Sequence, residues 1–197
     1  MLKLRVLLLT LFVFTVAATQ PSTKIKIVQK PHYTVGYSEE FREPVWVEYE
    51  VLCTESKYSR KGLDFKPEPG LITTGNKDYA DNEWDKGHMA PAADFDCDSL
   101  ALIATFSYAN CALQQENLNR GTWRFLEDHE RKLAQQYPVM VRIDVDFSGP
   151  AKKVQSGARI PTGFWKTLHY AEHEEKYYFT NTKPKSSKFE DYLIEKK

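Results

Sequence analysis

The chain has 197 residues, with 27 lysines and arginines balanced by 27 aspartates and glutamates, so its formal net charge is zero. Its 42% hydrophobic and 13% aromatic content excludes an intrinsically disordered protein. The balanced charge excludes a protein that binds polyanions through its total charge alone, although a local basic surface is compatible with it. The length is typical of a single folded domain.

The first 18 residues have the pattern of a secretory signal peptide. Lys3 and Arg5 precede an apolar stretch over residues 6–17 that ends in small residues. A membrane-spanning helix needs about 20 apolar residues, and this stretch is shorter. We therefore expect residues 1–18 to be removed on export to the periplasm or the medium. The remaining domain, residues 19–197, would be slightly acidic, because both cations of the leader are lost with it.

The rest of the chain combines many short strands with one long helix. The clearest strand is residues 45–51, where apolar and polar side chains alternate. Residues 54–83 are polar and predict a long surface loop, whereas residues 119–137 have helical spacing of apolar residues. Since no strand–helix–strand alternation is present, the pattern predicts an α+β fold, a single domain with a central, mostly antiparallel sheet flanked by helices. The other predicted strands are 25–28, 33–37, 139–147, 160–168 and 176–180, and residues 100–108 are compatible with either a strand or a helix.

The cysteines do not have the spacing expected for a zinc site, whereas His169 and His173 form an HxxxH pattern that could bind zinc on a helix but lies in a predicted hairpin loop. Cys53, Cys97 and Cys111 are too far apart in sequence for a CxxC motif. Export favours disulfides, but three cysteines allow at most one bridge, and the spacing does not select the pair. His169 and His173 are predicted to be solvated in the loop between the last two strands.

The segment DKGHMAP, residues 85–91, places a histidine between two residues that shape the backbone. Gly87 permits close approach or unusual dihedrals before the histidine, and Pro91 fixes the backbone after it. An imidazole has an ordinary pKa of about 6.5 and can act as a general base near neutral pH. His88 is therefore the candidate base.

A second segment supplies amides and a carboxylate. Asn110 and Gln114 precede Asn119, which lies at the predicted start of the long helix, and Glu127 follows eight residues later. Asn119 could cap the helix. Alternatively, a neutral oxygen ligand combined with a carboxylate that acts through water suits Mg²⁺, which retains several water molecules.

The two segments together resemble the DNA/RNA non-specific endonucleases. These endonuclease G-like enzymes are the sugar-nonspecific nucleases of the ββα-metal, or His-Me finger, class. The first segment is similar to their D-R-G-H-x-A-P signature. Lys86 stands where the signature has arginine, and Leu113 stands where the second signature has proline. The second signature is matched by Asn110, Gln114, Asn119, Trp123, Leu126 and Glu127, and weaker likeness extends over residues 40–46, 148–150 and 160–166.

The resemblance implies a secreted, Mg²⁺-dependent endonuclease that hydrolyses phosphodiester bonds of DNA and RNA. It would contact the phosphate backbone and leave 5′-phosphate ends, with Mn²⁺ as a possible substitute metal. The resemblance assigns water activation to His88, direct metal binding to Asn119 and metal binding through water to Glu127. Asn110 would help to arrange the site.

Three cations are candidates for substrate contacts. The resemblance places Arg42 where the family has a phosphate-contacting arginine. Lys86 keeps the positive charge of the signature arginine but lacks the planar guanidinium group that can bind phosphate through two hydrogen bonds. Arg131, one turn beyond Glu127, is expected to make a phosphate or a structural contact. Lys86 and Leu113 depart from the family signatures. The alternative is therefore a relative with weakened catalysis that binds nucleic acid without efficient cleavage. No membrane contact is expected of the mature form, and a dimer is compatible with the sequence.

Overall fold

The structure is a computed structural model that describes residues 24–197. The predicted signal peptide lies outside the described residues. None of the helices in the described part of the chain combines the length and the apolar character needed to cross a membrane.

A seven-stranded antiparallel sheet forms the body of the molecule, in the order β1-β2-β3-β6-β7-β8-β9. Strand β6 shows why the sheet forms, because its odd-numbered residues from Val139 to Val145 are buried while the side chains between them are more exposed. The strands in residues 24–197 are β1 (Ile25–Lys30), β2 (Tyr33–Ser38), β3 (Glu43–Glu50), β4 (Trp84–His88), β5 (Cys111–Gln115), β6 (Val139–Asp146), β7 (Gly163–Tyr170), β8 (His173–Thr180) and β9 (Leu193–Lys196).

Strands β4 and β5 form a separate antiparallel pair. The main helices are α1 (Ser99–Thr105) and α2 (Arg124–Ala134). The residues of the ambiguous stretch 100–108 therefore begin as a helix, capped by the Asp98 side chain, which accepts from two backbone N–H groups. The β4–β5 pair followed by α2 constitutes a ββα unit, and the predicted α+β class with a mostly antiparallel sheet is confirmed.

The long helix predicted over residues 119–137 is shorter and interrupted. One wide, π-type turn spans Leu118–Trp123, and Gly121 within it has non-helical dihedrals of φ −111° and ψ −109°. Regular helix begins only at Arg124 and ends at Ala134. Because glycine adopts such dihedrals readily, it changes the direction of the chain immediately before α2.

The prediction of a loop around His169 and His173 was wrong. Both histidines lie in strands, and only two residues join β7 to β8. Ala171, the first of the two, has a φ of +47°. A two-residue hairpin turn needs such positive φ values, which are usually supplied by glycine or asparagine, so Ala171 and Glu172 lack the pattern that marks a turn this short.

Helix α2 is anchored on the sheet through apolar side chains. Trp123 is completely buried, and its ring packs edge-on against Phe164 at 5.5 Å and Phe179 at 5.6 Å. Leu126 is also completely buried. This packing fixes how α2 is rotated, and with it the direction of the polar residues on its other side.

One disulfide joins Cys53, just after β3, to Cys97, just before α1, and Cys111 is a buried free thiol. The disulfide connects the start of the predicted loop 54–83 to the segment after β4. Within that loop the structure has a 3₁₀ turn over Asn76–Tyr79 and an isolated bridge between Lys66 and Ser107.

Candidate active site

A cavity of about 460 Å³ lies between the β4–β5 pair and the start of α2. It is lined by four of the residues predicted for the site, which come from separate elements: Lys86 and His88 from β4, Asn119 from the wide turn, and Glu127 from α2. Arg42, Asn110 and Arg131 do not line it.

The imidazole of His88 is held in an apolar setting. Its ring lies 4.5 Å from the ring of Phe65 and 4.9 Å, edge-on, from that of Phe106. Its Nε2 atom is buried and has no hydrogen-bond partner within residues 24–197. Burial, and secondarily the positive charge of Arg60, lowers the pKa of His88 to about 3. His88 is therefore neutral, and able to accept a proton, throughout the physiological pH range.

Asn110 fixes the backbone that follows His88. Its side chain is completely buried; its oxygen accepts from the N–H of Ala90 at 2.8 Å, and its amide nitrogen donates to the carbonyls of Ala90 at 2.9 Å and Thr105 at 3.0 Å. The N–H of Met89 donates to the backbone carbonyl of Asn110 at 2.9 Å. Asn110 does not line the cavity, but it holds the main chain that carries His88.

Gly87 is required by close packing in the β4–β5 pair. A Cβ atom at this position would lie 2.4 Å from the side-chain oxygen of Gln114 and 2.6 Å from its Cβ. Both distances are well below van der Waals contact, so only glycine lets this side of β4 lie against Gln114.

Asp85 orients the start of the helical segment. Its carboxylate accepts from the side-chain amide of Asn119 at 2.9 Å and from Arg120 at 2.8 and 2.6 Å. Because the amide nitrogen of Asn119 donates to Asp85, the amide oxygen is the part of this side chain that remains for another ligand.

The carboxyl group of Glu127 is half-buried at the cavity wall. Burial raises its pKa to about 7; Lys166 and Arg131 oppose this increase, and Glu130 adds to it. A cation placed in the cavity would oppose the burial effect and favour the carboxylate.

The donors around the cavity fit a hard, hydrated cation. They are the amide oxygen of Asn119 and the carboxylate of Glu127, with Asp85 behind them. In residues 24–197 no three histidine, cysteine or acidic side chains converge as they do in a zinc site. Few oxygen ligands, with water completing the coordination, are typical of Mg²⁺.

Two of the three predicted substrate-binding cations lie away from the cavity. Arg42 donates to the backbone carbonyl of Ser156 at 2.6 Å. Arg131 forms ion pairs with the buried Asp94 at 2.6 Å and with Asp128. Lys86 lines the cavity, and its ammonium group pairs with Asp64 at 2.9 Å and with Asn76.

Three arginines that were not predicted also line the cavity: Arg60 from the polar loop, Arg120 from the wide turn, and Arg124, the first residue of α2. Within residues 24–197 neither Arg60 nor Arg124 forms an ion pair with a carboxylate. The ion pairs near the cavity are formed instead by Lys86, Arg120 and Arg131. Arg60 lies in a stretch with no regular spacing, so nothing in the sequence separates it from a solvated surface arginine.

A histidine on the first strand of a ββα unit, facing an asparagine and a glutamate from its helical part, defines a site of the ββα-metal type. The comparison with family models agrees with this class. The model described as DNA/RNA non-specific endonuclease matches residues 14–194, so the chain belongs to that family.

Similar proteins are named as nucleases. The nuclease of Serratia marcescens is 28% identical over 198 residues, which cover 89% of this chain and 72% of that protein. The mitochondrial nuclease EXOG of Danio rerio is 32% identical over 129 residues, or 63% of this chain and 36% of its own length. The chain thus spans about a third of the length of the EXOG relatives.

The fold is also that of a solved nuclease. A chain in the crystal structure of an EndoG/EndoGI complex superposes with a TM-score of 0.73 at 23% identity. The match covers 86% of this chain and 80% of that one. At this identity the likeness establishes the fold.

Proposed function

We propose that this protein is a metal-dependent endonuclease that hydrolyses phosphodiester bonds of DNA and RNA. The observation that carries the proposal is the neutral, desolvated His88 in the same cavity as Asn119 and Glu127. Membership of the DNA/RNA non-specific endonuclease family supports it. An imidazole that is neutral at physiological pH has a lone pair free to take a proton from water, and a negatively charged phosphate beside it would raise its pKa towards the operating pH.

In the proposed reaction His88 accepts a proton from a water molecule as the water oxygen attacks phosphorus. The new P–O bond forms as the bond to the 3′ oxygen breaks, and the leaving oxygen takes a proton from solvent. The products are a 3′-hydroxyl and a 5′-phosphate. Asn110 keeps His88 in place through Ala90, and Asp85 keeps the amide oxygen of Asn119 directed away from itself.

Asn119 directly, and Glu127 through water, would hold a Mg²⁺ ion, for which Mn²⁺ could substitute. When bound, the ion would supply charge stabilisation for the pentavalent phosphorus and the leaving oxygen. Without a cation, the pKa of Glu127 is about 7, so Glu127 is partly protonated at neutral pH. Ionising the buried Glu127 costs free energy when no cation is present, and a neighbouring cation would remove that cost. The raised pKa is therefore consistent with a role beside a cation.

Cations at the cavity would hold the phosphate backbone. Arg60 and Lys86 both line the cavity with His88. Contacts with phosphate rather than with base edges give little sequence preference. Phosphate contacts by Arg42 and Arg131 remain predictions; for Arg131, the ion pair with the buried Asp94 favours the structural role.

Export is part of the proposal, with residues 1–18 as the leader. The Cys53–Cys97 disulfide supports it, because such bonds persist in oxidising compartments and are rare in the cytosol. A weakened relative that binds without cleaving is the competing function, favoured by the partial neutralisation of Lys86 by Asp64.

Cleavage of plasmid DNA and of RNA tests these functions directly. We expect both to be degraded with Mg²⁺ and preserved with EDTA. His88→Ala should lose at least about a hundredfold in rate, the usual contribution of a general base. His173→Ala, at an exposed histidine of β8, is the matched control and should keep full activity. Full activity of His88→Ala would refute the mechanism, and bound but intact DNA in Mg²⁺ would favour the binding protein.

A further inference from the structure

A second cavity adjoins the one that contains His88. Its volume is about 400 Å³, within the roughly 300–1,000 Å³ typical of small-molecule sites. The two cavities share Arg60, Ala92, Ala93 and Arg124 in their walls. The two cavities therefore adjoin along these four residues, with the two arginines at the junction.

Neither arginine at this junction forms an ion pair within the described residues. In residues 24–197 no carboxylate pairs with Arg60 or Arg124, although Asp96 and Asp128 also line the second cavity. Asp128 pairs with Arg131 instead. The guanidinium of Arg124 lies 5.0 Å from the ring of Phe125, and its Nε donates to the carbonyl of Arg120 at 3.1 Å. Two arginines without carboxylate partners at a junction of grooves are suited to bind phosphate.

An aromatic side chain lies at the wall of the second cavity. Tyr58 is 48% exposed, and within the described residues its ring packs against no other aromatic ring and its hydroxyl has no hydrogen-bond partner. Its backbone is nevertheless fixed, because the N–H groups of Tyr58 and Lys57 donate to the carbonyl of Asp96 at 2.8 and 3.1 Å. The Cys53–Cys97 disulfide ties the same segments together. The fold thus holds in place an aromatic face that no other ring of the described protein covers.

We propose that the second cavity is a subsite for the nucleotide that flanks the scissile phosphate. The base stacks on Tyr58, and the phosphate of that nucleotide lies between Arg60 and Arg124. This inference rests on the proposed nuclease function and adds the part of the substrate recognised beside the reacting centre. Every base has a face that can stack, so the subsite accepts any sequence. A base in a duplex is already stacked, so the subsite favours single-stranded substrate.

Binding of a short oligonucleotide in EDTA tests the subsite independently of cleavage. The probe is a single-stranded tetranucleotide with one 2-aminopurine, whose fluorescence is quenched on stacking. With the wild-type chain we expect quenching for a probe that has the label beside the central phosphate. Tyr58→Ala should abolish the quenching and weaken binding about 5- to 100-fold. Tyr58→Phe should retain both, and Tyr137→Ala, at an exposed tyrosine outside both cavities, should match wild type.

Arg124→Ala provides the second arm, with Lys132→Ala on the exposed face of the same helix as its control. The slope of the logarithm of the binding constant against the logarithm of the salt concentration should become shallower by about 0.7 when one phosphate contact is lost in Arg124→Ala. Lys132→Ala should leave this slope unchanged. Wild-type quenching and affinity in Tyr58→Ala would overturn the subsite. Quenched binding by a wild-type chain that cleaves nothing in Mg²⁺ would overturn only the nuclease function, because this assay contains no divalent cation.

Discussion

Asn110 and Ala90 exchange a pair of hydrogen bonds in the interior: the side-chain oxygen of Asn110 accepts from the Ala90 N–H at 2.8 Å, and its amide nitrogen donates to the Ala90 carbonyl at 2.9 Å. The side-chain amide of Asn110 makes the two hydrogen bonds to Ala90 that the backbone of a paired β-strand would make. It thereby extends the β4–β5 pair by two residues beyond His88. The position of the candidate base thus depends on a buried group that never reaches the cavity.

Replacing Asn110 with alanine should destabilise the protein. The change leaves the N–H of Ala90 and the carbonyls of Ala90 and Thr105 buried without their partner, and each such group costs about 1–3 kcal/mol. We expect the free energy of unfolding to fall by about 2–4 kcal/mol in urea titrations. Asn117→Ala, at an exposed asparagine whose side chain caps nothing, is the control. A midpoint for Asn110→Ala equal to that of Asn117→Ala would contradict this role.

Glu127→Gln should stabilise the metal-free protein at high pH. The folded pKa of Glu127 is raised to about 7 from 4.5, so its contribution to stability is fully present below pH 4.5 and is lost as pH rises through 7. Glutamine removes the buried charge and this pH dependence. In EDTA at pH 8 we expect the variant to be more stable by about 1–3 kcal/mol, and at pH 4 to differ little.

Thermal denaturation at the two pH values measures this effect. Glu172→Gln, in the exposed turn between β7 and β8, should show no gain at either pH. The proposed role of Glu127 requires the same substitution to lower cleavage in Mg²⁺. A variant that is less stable than wild type at pH 8 would show that Glu127 is ionised without cost in the folded protein.

Loss of the Cys53–Cys97 disulfide should lower stability substantially. The bond closes a loop between residues 44 positions apart, for which chain entropy predicts about 2–4 kcal/mol. The double substitution Cys53→Ser/Cys97→Ser should therefore lower the midpoint of thermal unfolding by about 5–15 °C. Reductant should have the same effect on the wild-type protein and none on the double variant. Equal midpoints for wild type with and without reductant would contradict this expectation.

Strands β3 and β6 of the large sheet were predictable because each buries one face. Residues 45–51 and 139–147 alternate in hydrophobicity, and the structure has strands there. The sequence of β4, WDKGH, shows no such alternation, because only its first residue is a large apolar one. It is a strand because β5 pairs with it, which is a tertiary property that no local pattern records.

The candidate site also combines residues that were identifiable from the sequence with partners that only the fold determines. The resemblance to the endonuclease family identified His88, Asn119 and Glu127, three residues that the fold brings to one cavity. The partners that determine their behaviour come from distant segments: Phe65 and Phe106 around His88, and Asp85 on Asn119. The choice of disulfide, and the presence of Arg60 at the cavity, likewise depend on how the loop after β3 folds back.

The disulfide also makes residues 53–97 a closed covalent ring that contains Arg60, Lys86 and His88. The exposed turn at Lys61 and Gly62 belongs to this ring and is open to attack by a protease. A single cut there opens the ring without releasing a fragment, since both new ends stay attached through the sulfur–sulfur bond. In an environment rich in proteases, the chain can thus be nicked beside its cavity and still remain one molecule.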